Sequence, residues 1–424
     1  MSLITEKIKN IKLSWSIKNG IWMYLLQFFN MVVPLLTLPY ITRILGPSQY
    51  GEFSLALNLI GYLQVIVEYG FGMSATRKIA IGNRKIDEIN KIFSCVITCR
   101  IILLLGCCIF YLFYLWRNIN NPVQCICMGI LLICLLGFCV QQNWLFQGLQ
   151  EMRYISLINI ISRTVSVVLI FLLVKEADDL FLYCLLYSIS PLLSGFLGLV
   201  IVHKRYGVCF VRISLQDVRK EMKRGWHVFT TQLSSKVFVG IGITCMGIFA
   251  TNREVGIYSA IQKLPNILLL AWTPISQVMY PVSSRDLQKS FIEGKELILK
   301  RRRIIFPFFA AIIMGTGIFS KDIIELVLGS EYCSYHYWVW PLLVWILVAI
   351  NNNFLGIQIL LGSGHDQEYS KCFKVGVICT VVLNFVFIFL WRGAGAAAAP
   401  LISESILGIT LYKEVQRINK SVIT

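Results

Sequence analysis

Apolar residues run through this chain in long stretches, and charged residues collect in the short segments between them. The runs lie near 19–42, 51–73, 92–116, 122–147, 154–174, 180–202, 226–250, 256–282, 304–320, 338–362, 371–391 and 394–412. Each is close to the ~20 residues a helix needs to cross a bilayer. They are apolar on all sides rather than alternating every second residue, which argues against a β-barrel. The pattern predicts an all-α, polytopic membrane protein with twelve transmembrane helices. Prolines 34, 39, 191, 265 and 274 interrupt several runs. Such breaks are tolerated in lipid where neighbouring helices or water satisfy the freed carbonyls. Before the first run, Ile4, Ile8, Ile11 and Trp15 recur at helical spacing among lysines. That spacing predicts a short amphipathic segment on the membrane surface.

Composition agrees with the pattern. Of 424 residues, 57% are apolar and 14% charged, against about 25% charged in soluble proteins. A soluble enzyme, a disordered chain and a secreted disulfide scaffold are excluded on that ground. The 14 cysteines sit mostly inside apolar runs and lack metal-ligand or CxxC spacing. They act as small hydrophobes, and no metal or cofactor is called for. No cleavable leader is expected, because the first apolar run is too long for one.

A net charge of +17 would suggest nucleic acid on a soluble protein. Here position decides. One set of connections, with the chain's ends, carries 29 Lys and Arg, and the opposite set carries six: Arg43, Arg117, Lys175, Arg253, Lys321 and Arg392. By the positive-inside rule both termini are cytoplasmic. The basic excess is a topology signal, and nucleic acid is not an expected partner.

The longest cytoplasmic loop, 203–225, divides the spans into two six-helix bundles, 1–202 and 226–424. At an offset of 205, Lys18, Gly20, Gln27, Val32, Gly51 and Ser54 meet Lys223, Gly225, Gln232, Val237, Gly256 and Ser259 without a gap. The identity is low, but the placement is consistent: each half opens on a basic residue and a glycine, with Gln inside its first span. Parallel repeats of this kind rock about a central site in many transporters.

Four basic residues lie within spans: Arg100, Arg163, Lys236 and Lys263; only two acids do, Glu68 and Glu404. A charge at mid-bilayer costs about 2.5–3.5 kcal/mol on insertion scales, so each needs a partner or a function. One reading pairs Glu68 with Arg100, and Glu404 with Arg163 or Lys236, to hold helices together. The other opens a water-filled cavity with a cationic wall between the halves. Polar lining for it is available from Gln27, Asn30 and Thr37 on one face of the first span, from Asn58 and Gln232, from Gln262 beside Lys263, and from Asn352 within an Asn triplet at 351–353. Amides of this kind bond sugar hydroxyls or neighbouring helices equally well.

Enzyme signatures are missing: there is no Walker A run, Gly-x-Ser-x-Gly or His-Glu-x-x-His, and every outer loop is short. Three stretches do resemble a family. Residues 42–53 (Thr-Arg-Ile-Leu-Gly-Pro-Ser-Gln-Tyr-Gly-Glu-Phe) look like the signature after the first span of bacterial polysaccharide transporters. Residues 68–77 (Glu-Tyr-Gly-Phe-Gly-Met-Ser-Ala-Thr-Arg) resemble the segment that closes their second span, and Gly393 to Ala398, followed by Glu404, resembles their twelfth-span opening. The nearest type is the O-antigen flippase, Wzx, of the multidrug/oligosaccharidyl-lipid/polysaccharide exporter superfamily.

The resemblance implies a multi-pass protein of the bacterial inner membrane, not an enzyme. Such a protein moves an undecaprenyl-diphosphate-linked oligosaccharide, by alternating access, from the cytoplasmic to the periplasmic leaflet in lipopolysaccharide biosynthesis. On that implication Arg100, Arg163, Lys236 and Lys263 receive the diphosphate. Glu68 and Glu404 are candidates for proton coupling or ion pairing. Membrane lipid, a polysaccharide polymerase and a chain-length regulator are candidate partners. A lipid II flippase and a cation or drug antiporter are the alternatives, although an antiporter for cations calls for more acids than bases.

Overall fold

The computed structural model describes residues 2–82 and 85–423, with side chains described for 19–82 and 85–420. The amphipathic pattern of Ile4, Ile8, Ile11 and Trp15 therefore falls outside the described side chains. The chain is helical throughout, and no strand occurs among the described residues. In order the helices are α1 (Ser2–Glu68), α2 (Phe71–Ile81), α3 (Ile86–Arg117), α4 (Pro122–Val140), α5 (Asn143–Leu149), α6 (Met152–Leu173) and α7 (Leu180–Tyr206). They continue as α8 (Leu215–Phe249), α9 (Asn252–Lys289), α10 (Phe291–Ile318), α11 (Ser320–Val327), α12 (Ser330–Cys333), α13 (Val339–Asn353) and α14 (Asp366–Ile423). A π-helical stretch, Phe354–Leu361, extends α13.

Among the described residues, eight helical stretches are long and apolar enough to cross a membrane, or nine if α10 and α11, bent by 72°, form one broken span. Two of these stretches are far longer than one crossing, and each is interrupted. Gly46 breaks α1 with φ of 66°, a left-handed angle glycine adopts without a Cβ clash. Arg392 breaks α14 at φ of 48°, where a residue with a side chain is strained. The second apolar run ends at another left-handed pair, Tyr69 and Gly70, from which α2 departs.

Packing divides the chain into two compact units, Met1–Thr37 with Ala56–Lys236, and Leu38–Leu55 with Val237–Thr424. Both divisions fall inside helices, α1 and α8. In the first unit α4 lies along α7 through small residues, Gly137 against Pro191 and Gly195 against Val140. Lipid gives apolar helices no hydrophobic reason to associate, so close backbone approach supplies the contact. A core of Phe71, Ile79, Val96, Trp144, Phe146 and Val202 joins α2, α3, α5 and α7.

In the second unit α13 packs along α14 and against α9. The 38–55 segment crosses the start of α9 at two glycines. A Cβ on Gly51 would overlap the Asn252 carbonyl and the Gly256 amide; a Cβ on Gly256 would overlap the Pro47 carbonyl and the Gly51 amide. Pro47 and Asn252, like Gly51 and Gly256, are separated by the 205-residue offset. Repeat-related residues thus touch one another reciprocally, as across a local two-fold axis.

Every ion pair among the described residues stays within one of the two charge sets read from the sequence. Lys78–Glu221, Lys91–Asp217, Arg301–Asp286 and Arg417–Glu414 join members of the basic-rich set, whereas Arg253–Glu331 and Arg392–Glu254 join members of the other.

Candidate functional site

The first unit holds three of the four intramembrane bases, each in a different setting. Arg100, 4% exposed, lies where α4 ends. One of its terminal nitrogens donates to the carbonyls of Phe138, Cys139 and Gln141 at 3.2, 3.3 and 2.8 Å. These belong to the last turn of a helix, where carbonyls lack an intrahelical partner, and a cation suits that end of the helix dipole. The Glu68 carboxylate accepts from Gln64 at 2.9 Å instead.

Arg163 on α6 donates to the side-chain oxygen of Asn30 on α1 at 2.7 Å. Gln27, half-buried, lies one turn before Asn30. Lys236 on α8 rests against Gly61 of α1. A Cβ at that glycine would lie 2.6 Å from the Lys236 Cε and closer still to its Nζ. The ammonium is also 6.0 Å from the Tyr62 ring centroid, on the attractive face of the π-system. Gln232 sits one turn earlier, half-buried, and Asn58 is buried one turn before Tyr62.

In the second unit Lys263 donates from Nζ to the hydroxyl of Tyr50 and lies 5.1 Å from that ring's centroid. Tyr50 is 1% exposed. Gln262, next to Lys263 in sequence, lines a small, mainly apolar cavity with Asn266 and Asn384. Glu404 is buried and accepts from Asn352 at 3.0 Å, while the same amide donates to the Glu404 main-chain carbonyl at 2.7 Å.

Among the described residues no ion pair joins Arg100, Arg163, Lys236 or Lys263 to a carboxylate. Neutral partners surround them instead: carbonyls, an amide, two aromatic rings and a glycine. The structure brings Asn30 to Arg163 and Asn352 to Glu404. It does not bring Glu68 to within an ion pair of Arg100.

Two features were not read from the sequence. The fourth apolar run is broken at Gln141 and Gln142, and its polar side chains form a knot. Gln141 donates to Ser194 at 2.9 Å and to Asn159 at 3.3 Å, and Asn159 donates to Asn143 at 3.4 Å. Three successive polar residues, 141–143, inside an apolar run were the available signal. The second feature is Glu52. At the very edge of the 51–73 run it is counted with the outer connection, yet it is 8% exposed and accepts from Asn252 beside the Gly51–Gly256 contact.

Helices of this length and hydropathy, two of them broken mid-length, with one buried and three half-buried basic side chains within them, define a polytopic helical membrane protein. Comparison with solved structures agrees on the fold. A lipid II flippase, MurJ, in an inward closed conformation superposes with a TM-score of 0.74, covering 94% of this chain and 87% of its own at 13% identity. An inward-facing multidrug resistance MATE family transporter of the MOP superfamily gives 0.70, with 92% and 98% covered, also at 13% identity. Residues 16–286 match the family described as polysaccharide biosynthesis protein, and the chain belongs to that family. A relative from Escherichia coli K12, named "Putative O-antigen transporter", is 27% identical over 92% of this chain and 94% of its own. One of the same name from Shigella dysenteriae is 24% identical over 94% and 100%. The protein is a multi-pass bacterial inner-membrane protein of the polysaccharide-transporter class.

Proposed function

We propose that the protein moves an undecaprenyl-diphosphate-linked oligosaccharide repeat unit, an O-antigen precursor, from the cytoplasmic to the periplasmic leaflet. The polypeptide crosses the membrane twelve times in this reading, with both termini in the cytoplasm. Gly46 and Arg392 mark the turns within α1 and α14, and the loop at 203–225 links two six-helix halves. A cationic passage, opened alternately to each side, takes the diphosphate, and the prenyl tail stays in lipid. Arg163, Lys236 and Lys263 contact the phosphates; Arg100 holds the broken end of α4 in place. Gln27, Asn30, Asn58, Gln232, Gln262 and Asn352 offer amides to sugar hydroxyls or to their neighbours, and Glu68 and Glu404 are the groups available for proton coupling. A polymerase and a chain-length regulator are the partners expected at the outer leaflet.

The observation that carries this reading is that, among the described residues, no ion pair joins any of the four bases to a carboxylate. Positive charge in low dielectric, left with only neutral ligands, attracts a phosphate more strongly than it would in water. Lys236→Ala is expected to abolish surface polysaccharide while the protein's membrane level stays normal. Wild-type polysaccharide in that variant would refute the assignment. The lipid-linked sugar that accumulates inside a deletion strain identifies the cargo; accumulation of lipid II instead would move the protein to peptidoglycan synthesis.

A further inference from the structure

The break after α4 brings together two side chains that an unbroken helix would hold apart. At about 100° per residue, positions 141 and 143 of a continuous helix point about 200° from one another. Here α4 ends at Val140, Gln141 is extended, and α5 begins at Asn143. Both amides then meet one partner, Asn159 on α6. Gln141 donates to the Asn159 side-chain oxygen at 3.3 Å, and the Asn159 amide donates to the Asn143 side-chain oxygen at 3.4 Å. Buried groups hold the arrangement from behind. Ser194, 2% exposed, accepts from Gln141 at 2.9 Å, and Arg100 donates to the Gln141 main-chain carbonyl at 2.8 Å.

Amides that only tie helices together would be used up by those ties, and these are not. Among the described residues nothing donates to the Gln141 Oε1 and nothing accepts from the Asn143 Nδ2; neither atom is sealed from solvent. One open acceptor and one open donor therefore stand on the two amides bonded to Asn159. A sugar hydroxyl, which both donates and accepts, answers such a pair. Arg163 lies one turn beyond Asn159 on α6, so the two side chains share a face with Cβ atoms about 5–6 Å apart. That step is close to the width of one sugar ring. The Arg163 partner, the Asn30 oxygen at 2.7 Å, is neutral and leaves the guanidinium charge for an anion. Broken helices recur at transporter substrate sites, because irregular backbone at membrane depth persists only inside protein or along a wet cavity.

We propose that Gln141, Asn143 and Asn159 form a sugar subsite that reads the hydroxyls of the sugar bonded directly to the diphosphate, while Arg163 holds a phosphate. The inference takes its ligand from the flippase reading and deepens it: the sugar next to the phosphate is what this wall of the first unit selects. Arg100 and Ser194 are positioning residues, since they hold Gln141 and do not touch the sugar.

The test uses the full chain in phosphatidylcholine nanodiscs with three lipid probes: undecaprenyl diphosphate and its N-acetylglucosamine and galactose conjugates. Wild type is expected to bind at least one conjugate about tenfold tighter than the bare diphosphate, the scale of two hydrogen bonds. In Asn143→Ala and in Gln141→Leu that advantage is expected to fall about three- to tenfold. Both variants are expected to bind the bare diphosphate within about twofold of wild type, which controls for folding. Arg163→Ala is expected to weaken all three probes alike, by about tenfold. Equal weakening of all three probes in the amide variants would make the cluster a structural tie and overturn the subsite. So would an undiminished sugar advantage in both variants, or a wild type that binds the conjugates no tighter than the bare lipid. A wild type that shows the advantage, and its loss in the variants, yet moves no lipid between leaflets would keep the subsite and refute the flippase reading alone.

Discussion

One irregular helix in each unit, α4 in the first and α13 in the second, is secured by opposite chemistry. In the first unit α4 stops at Val140 and the chain restarts as α5 at Asn143. Arg100 caps that end by donating to three carbonyls. In the second unit α13 does not stop but widens into π-helical turns over Phe354–Leu361. Amides secure these turns: Gln358 donates to the Ser276 carbonyl at 3.0 Å and accepts from Ser283 at 2.8 Å, and Asn352 holds Glu404. Irregular backbone at membrane depth persists only where protein groups satisfy it, and π-turns gather at functional sites. One unit meets that demand with a guanidinium, and the other with neutral amides that also hold a buried carboxylate.

The comparison breaks most readily at Arg100. Arg100→Leu leaves several carbonyls unpaired in hydrocarbon, and a loss on the order of 3–5 kcal/mol is expected. Thermal unfolding in detergent and the level of protein in the membrane both read it; unchanged values would mean that the cap is dispensable. Gly51→Ala and Gly256→Ala come next. Here the two repeats carry the same residue at matching positions, and either methyl collides with the backbone of the other segment. Overpacking of this kind costs about 1–3 kcal/mol. Each single variant is expected to lose transport to a similar degree, because the contact is reciprocal. A large effect at one glycine and none at the other would show that the symmetry is only apparent.

Asn352→Ala removes the donor to both the carboxylate and the main-chain carbonyl of Glu404, at a cost of about 1–3 kcal/mol. Its effect on unfolding should be clearly smaller than that of Arg100→Leu. The mildest change is Glu404→Gln. The amide oxygen still accepts from Asn352, so stability should shift by less than about 1 kcal/mol. The pH dependence of transport should flatten, since the group can no longer gain or lose a proton. A pH profile of unchanged shape would exclude Glu404 as a proton-linked group.

Some of this was legible before any coordinates and some was not, and the buried charges show where the line falls. That Arg100, Arg163, Lys236 and Lys263 lie in apolar runs is visible from composition and spacing alone. Their differing circumstances are not. Arg100 faces the end of a helix some 40 residues further along the chain, and Lys236 fits against a glycine 175 residues earlier. The helix break at Gln141 left a local trace that was read as part of a continuous span. Glu52 left none, because its burial depends on Asn252.

The amino-acid sequence by itself determined that the chain is helical and lives in a bilayer, and its charge pattern and motifs pointed to the transporter family. Those properties follow from hydropathy summed over ~20 neighbouring residues, which needs no knowledge of what lies alongside. Tertiary structure alone decided which intramembrane cation meets helix-end carbonyls, which meets an amide and which lie against rings. A helix that is apolar on every side carries no stripe to say which face meets which neighbour, so those pairings exist only once the helices have packed.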